Sequence, residues 1–176
     1  MNKRKKPNIL ITGSAGFIGF HLSLKIIEYN RFNVVGIDNL NNYYDVKLKK
    51  DRLNLLKKNK SHKFYKIDIT NKKKLEQLFN RYNFTYVINL AAQAGVLHSV
   101  KNPDTYFENN IRGFYNLINL ANKFKIKHFL FASTSSVYGP ANKFPLKESH
   151  NTDKPLSFYA ASKKCNDGNF DGRERH

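Results

Sequence analysis

Asn8-Ile9-Leu10-Ile11-Thr12-Gly13-Ser14-Ala15-Gly16-Phe17-Ile18-Gly19 is the stretch whose reading decides the fold. Ile9, Leu10, Ile11 and Thr12 form a short apolar, β-prone run that suits a buried strand. Gly13, Gly16 and Gly19 follow at even spacing, and Phe17, Ile18, Leu22, Ile26 and Ile27 then recur at helical intervals. Strand, glycine turn and helix together aim the free N–H groups of a helix N-terminus at a phosphate. The glycines let the chain turn tightly and let a pyrophosphate approach without a Cβ in the way. Gly-rich turns are common, and it is the placement between strand and helix that turns this one into a dinucleotide signal.

Working outward, Asn33–Asp38 is a second apolar strand ending on an acid. Asp38 falls about 20 residues past the turn, where a dinucleotide fold places the carboxylate that accepts from the adenosine ribose. A carboxylate there repels a 2′-phosphate, which favours NAD over NADP, although an Asp at a strand exit also suits a turn or cap. Asp45 can cap a helix running to about Lys58. Residues 63–69 alternate as a third strand, and Thr70 or Asn71 opens a helix that turns Leu75, Leu78 and Phe79 inward. Residues 85–91 and 127–133 supply the fourth and fifth strands, with one long helix expected from Pro103 to Lys125. Five strands alternating with helices predict an α/β fold, a doubly wound parallel sheet of Rossmann type with strand order 3-2-1-4-5. Ligands in such sheets lie at the carboxyl ends of the strands. Gly13, Asp38, Asp68, Ala91 and Ser133–Ser136 all stand at those ends.

Bulk composition narrows the class. Of 176 residues, 40% are hydrophobic and 14% aromatic, enough for a globular core. No apolar run reaches the length of a membrane span, so no membrane partner is expected. The basic Met1–Lys6 segment leads into an apolar stretch broken at Gly13 and Ser14, unlike a secretory signal. The single Cys165 allows no internal disulfide and suits a reducing, cytoplasmic compartment. The net charge is +18, but the lysines are scattered, with short clusters only at Lys3–Lys6, Lys57–Lys60 and Lys72–Lys74. Without an aromatic-interleaved basic motif this pattern reads as solvated faces and compositional bias, and no nucleic-acid partner is expected. An anionic ligand would still gain from the field. No metal site is expected.

Chemistry gathers late in the chain. Ser133-Thr134-Ser135-Ser136-Val137-Tyr138-Gly139 places hydroxyls after the fifth strand, and Tyr159-Ala160-Ala161-Ser162-Lys163 follows. If residues 157–165 are helical, Tyr159 and Lys163 share a face. A lysine ammonium near a phenol favours the phenolate and makes Tyr159 a plausible base near neutral pH. Such a pair arises by chance in many helices. Behind a dinucleotide turn and a serine-rich strand end it gains chemical meaning.

These motifs resemble the extended short-chain dehydrogenase/reductase family of NAD-dependent epimerases and dehydratases, from about residue 8 to Asn166. The resemblance implies that Gly13, Gly16, Phe17, Ile18 and Gly19 bind the pyrophosphate end of NAD and that Asp38 and Asn39 hold its ribose. It places Asp68 and Ile69 at the adenine, Leu90, Ala91 and Ala92 along the cofactor, and Asn109 behind it. Thr134, with Ser135 beside it, takes the place of the catalytic hydroxyl, and Tyr159 and Lys163 that of the catalytic pair, both also contacting the cofactor, with Lys163 reaching the nicotinamide ribose. Dehydratases of the family carry Asp-Glu after the Thr, and uronate decarboxylases a Glu just before the Val. Ser135 and Ser136 stand there instead, which leaves epimerisation. Residues 38–45 and 91–96 look like the UDP-glucuronate 4-epimerase branch, although Leu97 replaces the Arg usual there. The implied activity is 4-epimerisation of a UDP-sugar through a transient 4-keto sugar.

Members of the family run to roughly twice this length. The expected organisation is an incomplete NAD-binding Rossmann domain over residues 1–166, truncated before the substrate-binding domain, and a divergent polar tail over 167–176. Expected partners are a UDP-sugar and either a second copy or a complementing C-terminal half. The alternative is a catalytically inactive NAD-binding fragment.

Overall fold

The computed structural model describes residues 6–140 and 144–168. The chain divides into two compact units, Met1–Ala91 with Asn116–Phe131, and Ala92–Tyr115 with Ala132–His176.

The first unit is built on β1 (Asn8–Thr12), α1 (Phe17–Glu28), β2 (Asn33–Asp38), α2 (Val46–Lys57), β3 (His62–Lys66), α3 (Lys72–Tyr82) and β4 (Phe84–Asn89). All five strands pair in parallel in the order β3-β2-β1-β4-β5, with β5 at His128–Phe131, as the sequence pattern predicts. The central β1 is set by register, Leu10 standing opposite Val35 of β2 and Val87 of β4. Alternation sends Ile9 and Ile11 to one face, where they cluster with Phe20 and Ile27 of α1 and Leu53 and Leu56 of α2. Each such buried side chain stabilises the fold by about 2 kcal/mol relative to exposure. Leu75, Leu78 and Phe79 are buried as the periodicity of α3 requires.

Polar side chains set the helix boundaries. The Asp45 carboxylate accepts from the Lys47 and Leu48 N–H groups and starts α2, and the Asn71 side chain accepts from the Lys74 N–H and starts α3. Strand β3 stops at Lys66, three residues before the expected end. The Asp68 side chain accepts there from the Thr70 N–H and hydroxyl, which turns the chain early.

The second unit carries α4 (Val96–Lys101), which the sequence reading leaves out, and α5 (Pro103–Tyr106). A wide, π-type stretch follows at Phe107–Gly113. The single helix expected over 103–125 is thus three successive segments, the last being α6 (Phe114–Lys123). A 3₁₀ turn (Ser135–Tyr138) and α7 (Phe158–Gly168) complete the unit. The fifth strand ends at Phe131, not at 133, and Thr134 goes on to cap the 3₁₀ turn by accepting from the Ser136 N–H. Helix α7 runs through Asp167 and Gly168, and residues 169–176 of the expected polar tail lie outside the described residues. Among the described residues no helix is long and apolar enough to cross a membrane.

Candidate functional site

In the sheet unit the glycines are required by close backbone approach. Gly13 has φ +66°, and a Cβ there would stand 2.8 Å from the Ala91 nitrogen. A Cβ on Gly19 would meet the Gly13 carbonyl oxygen at 2.3 Å. The Gly16 N–H donates to that same carbonyl at 3.0 Å, which folds the turn onto itself. Helix α1 then opens with no side-chain cap and no acid in its first turn, and Phe17 and Ile18 are both exposed. A helix N-terminus without a resident anion is the kind of site a pyrophosphate satisfies. The exit of β4 is held by Thr12, whose hydroxyl donates to Asn89 Oδ1 at 2.5 Å and accepts from the Leu90 and Ala91 N–H groups at 3.1 and 3.0 Å.

Asp38 closes β2 and is buried. Its Oδ2 accepts from the Ala15 N–H at 3.2 Å and its Oδ1 from the Leu40 N–H at 2.8 Å. Two backbone donors fix the carboxylate and leave lone pairs for hydroxyl donors. Asn39 donates to Asp68 Oδ2 at 2.8 Å, joining two of the expected cofactor residues. Burial pushes the Asp68 carboxyl up, but hydrogen bonds from Asn39 and Thr70 outweigh it and hold the group below the usual carboxylate range. Ile69 is buried, and its carbonyl accepts from Asn116 Nδ2 at 3.1 Å.

In the helical unit, Tyr159 and Lys163 lie one turn apart on α7, as expected. Lys163 is buried, and its Nζ donates to the Ala132 carbonyl at 2.9 Å. Burial lowers its pKa from the usual lysine value, and the charge of Asp167 opposes that. The Tyr159 ring packs edge-on against Tyr106 with centroids 6.0 Å apart. Thr134 is half-buried, whereas Ser135 and Ala92 are exposed. Asn109 donates to the Thr105 carbonyl at 2.8 Å. An open polar cavity of about 620 Å³ is lined by Thr134, Ser135, Glu148, His150, Lys164 and Asp167, among others.

Sequence reasoning missed Asn110, whose side chain accepts from the Gln93 N–H at 2.7 Å and donates to the Gln93 carbonyl and Ser162 Oγ. Ser162 in turn donates to the Tyr159 carbonyl at 2.7 Å. Asn110 is one of two adjacent asparagines, and only its burial tells it from Asn109. Thr12 was legible only as a strand residue.

A parallel doubly wound sheet with a glycine turn at the exit of its first strand defines the class as a dinucleotide-type α/β fold. The description of the family that matches is GDP-mannose 4,6 dehydratase, over residues 10–169, and the chain belongs to that family. The UDP-glucuronate 4-epimerase of Thermodesulfobacterium geofontis is 47% identical over 155 residues, covering 88% of this chain and 47% of that protein. Protein CapI of Staphylococcus aureus is 46% identical over 159 residues, covering 90% and 47%. Among solved structures, UDP-glucuronic acid 4-epimerase from Bacillus cereus in complex with UDP-glucuronic acid and NAD superposes with a TM-score of 0.84 at 33% identity, covering 92% of this chain and 50% of that one. The chain spans about half the length of the curated relatives it matches.

Proposed function

We propose that this chain binds NAD and carries the acid/base residues of a cytoplasmic nucleotide-sugar 4-epimerase acting on the UDP-glucuronate/UDP-galacturonate pair. The observation that carries the reading is the glycine turn packed against Ala91 ahead of an uncapped, acid-free helix start. The Tyr159–Lys163 spacing on one helix and the names of the relatives support it further. Gly13, Gly16, Gly19 and the start of α1 hold the pyrophosphate, Asp38 and Asn39 the adenosine ribose, and Asp68 and Ile69 the adenine. Leu90, Ala91, Ala92 and Asn109 line the rest. When bound, NAD supplies a reversible hydride acceptor.

Tyr159 takes the proton from the sugar 4-hydroxyl as C4 is oxidised and returns it once the 4-keto sugar has turned its other face. Lys163 keeps a cation near the phenolate, and Thr134, with Ser135, holds the sugar oxygen. The family's name points to dehydration, but Ser135 and Ser136 supply no carboxylic acid for eliminating water, so epimerisation is the better reading. A second copy or a separately supplied C-terminal half is the expected protein partner. A second reading, NAD held without turnover, draws on Lys163 committing a donor to the Ala132 carbonyl. Incubating purified chain with UDP-glucuronate and NAD and resolving the products by NMR tests the first reading, with UDP-galacturonate expected. Calorimetric NAD binding without any product selects the second, and no NAD binding at millimolar cofactor overturns both.

A further inference from the structure

Helix α7 carries a third polar side chain in line with the pair already named. Tyr159, Lys163 and Asp167 recur at four-residue intervals and form one stripe along the helix. Two of the three are bonded to consecutive residues just beyond β5, which ends at Phe131. Lys163 Nζ donates to the Ala132 carbonyl at 2.9 Å, and the Ser133 hydroxyl donates to Asp167 Oδ2 at 3.0 Å. A single bond would let the segment swivel, whereas two bonds at adjacent residues fix its direction as well as its place. Thr134 comes next. Its hydroxyl is tied within its own turn, accepting from the Ser136 N–H at 3.2 Å and donating to Ser136 Oγ at 3.3 Å. The hydroxyl therefore goes where the backbone of residues 132–134 carries it. Ser133 is exposed and, like Asp167, lines the open polar cavity, so burial does not hold the segment. Among the described residues the ion pairs are Lys25–Glu28, Glu108–Arg112 and Glu76–Lys123, so none of them draws Asp167 away from Ser133. The neighbouring Lys164 donates instead to the Thr152 hydroxyl.

We propose that Asp167 is a positioning residue that, with Ser133, straps the strand exit to α7 and so fixes where Thr134 stands relative to Tyr159. The inference rests on the acid/base reading given under Proposed function. Asp167 touches neither sugar nor cofactor in that scheme and acts only through Ser133. A shift of about 1 Å in a group that holds the reacting oxygen costs up to about a hundredfold in rate, so a strap one residue away from Thr134 has a catalytic reach.

The test is product formation from UDP-glucuronate and NAD by the full chain, with hydrogen exchange at the Ser136 amide as a second readout. Asp167→Ala and Ser133→Ala should each lower kcat by about tenfold with KM held within about threefold. The double variant should lose no more than either single one. Asp167→Asn keeps an acceptor for Ser133 and should recover most of the loss. The Ser136 N–H should exchange about tenfold faster in both alanine variants, with the amides of β1 unchanged. A neutral Ser133→Ala, losses that add in the double variant, or an Asp167→Asn as slow as Asp167→Ala overturns the proposal, since Asp167 then acts by its charge alone or by supporting the helix. If wild type forms no product, the acid/base reading falls and the exchange data decide the strap. Faster exchange at Ser136 in the alanine variants supports it, and unchanged exchange overturns it.

Discussion

The sheet unit keeps its polar groups under cover, and the helical unit keeps many of its own half in the open. Thr12, Ser14, Asp38 and Asn89 are all buried, and backbone donors and carbonyls of neighbouring strands and turns account for most of their bonds. Ser133 and Ser135 are exposed, Thr134 and Tyr159 are half-buried, and a broad polar cavity adjoins Thr134. The difference lies in solvent access and not in the kind of bond that holds the groups. In both, side chains grip backbone, as Asp38 grips Ala15 and Leu40 in the first and as Asn110 grips Gln93 and Lys163 grips Ala132 in the second.

The sharpest way to probe the open unit is Tyr159→Phe. Under the proposed function it should cut turnover by about 10²- to 10⁴-fold while changing calorimetric NAD affinity far less, because the proton-transfer group is what is lost. In the covered unit, Gly19→Val should lower stability by about 3 kcal/mol or more and abolish NAD binding, read by urea unfolding and calorimetry. The clash is with backbone, which has nowhere to move.

The covered unit also predicts an acid weakness. His62 is buried with no hydrogen-bond partner for either ring nitrogen, and burial lowers its pKa to about 4. A folded pKa below the unfolded one gives stability that is complete above about pH 6.5 and is lost as the pH falls towards 4, amounting to about 3 kcal/mol. Urea midpoints at pH 7 and pH 4.5 measure it, and His62→Leu should flatten the difference. The smallest effect belongs to the open unit. Asn110→Ala should cost about 2 kcal/mol by leaving Gln93 unsatisfied, with the sheet amides keeping their hydrogen-exchange protection.

The contrast also explains what could be read in advance. Gly13, Gly19, Asp38 and the strand alternation were legible because their roles follow from φ, Cβ clearance and period two, which residue type reveals directly. Helix α4 was not legible, because it follows Gly95 with φ +103°, a conformation no composition signal announces. The π-type stretch escaped for a similar reason, since Phe107–Gly113 has the apolar spacing of an ordinary helix. Asn110 was invisible because its importance lies in a partner 17 residues away. The ends of the third and fifth strands were overrun because Asp68 and Thr134 bend the chain by side-chain bonds that local propensity does not weigh.

Lys49 has a practical consequence. It is a sealed amine between two exposed ones, Lys47 and Lys50, and it is sealed by the loop its ammonium grips at Asn41. An amine-reactive reagent will modify the neighbours at once and Lys49 only when that loop lets go. The ratio of the three labelling rates is therefore a built-in clock for how often this edge of the molecule opens.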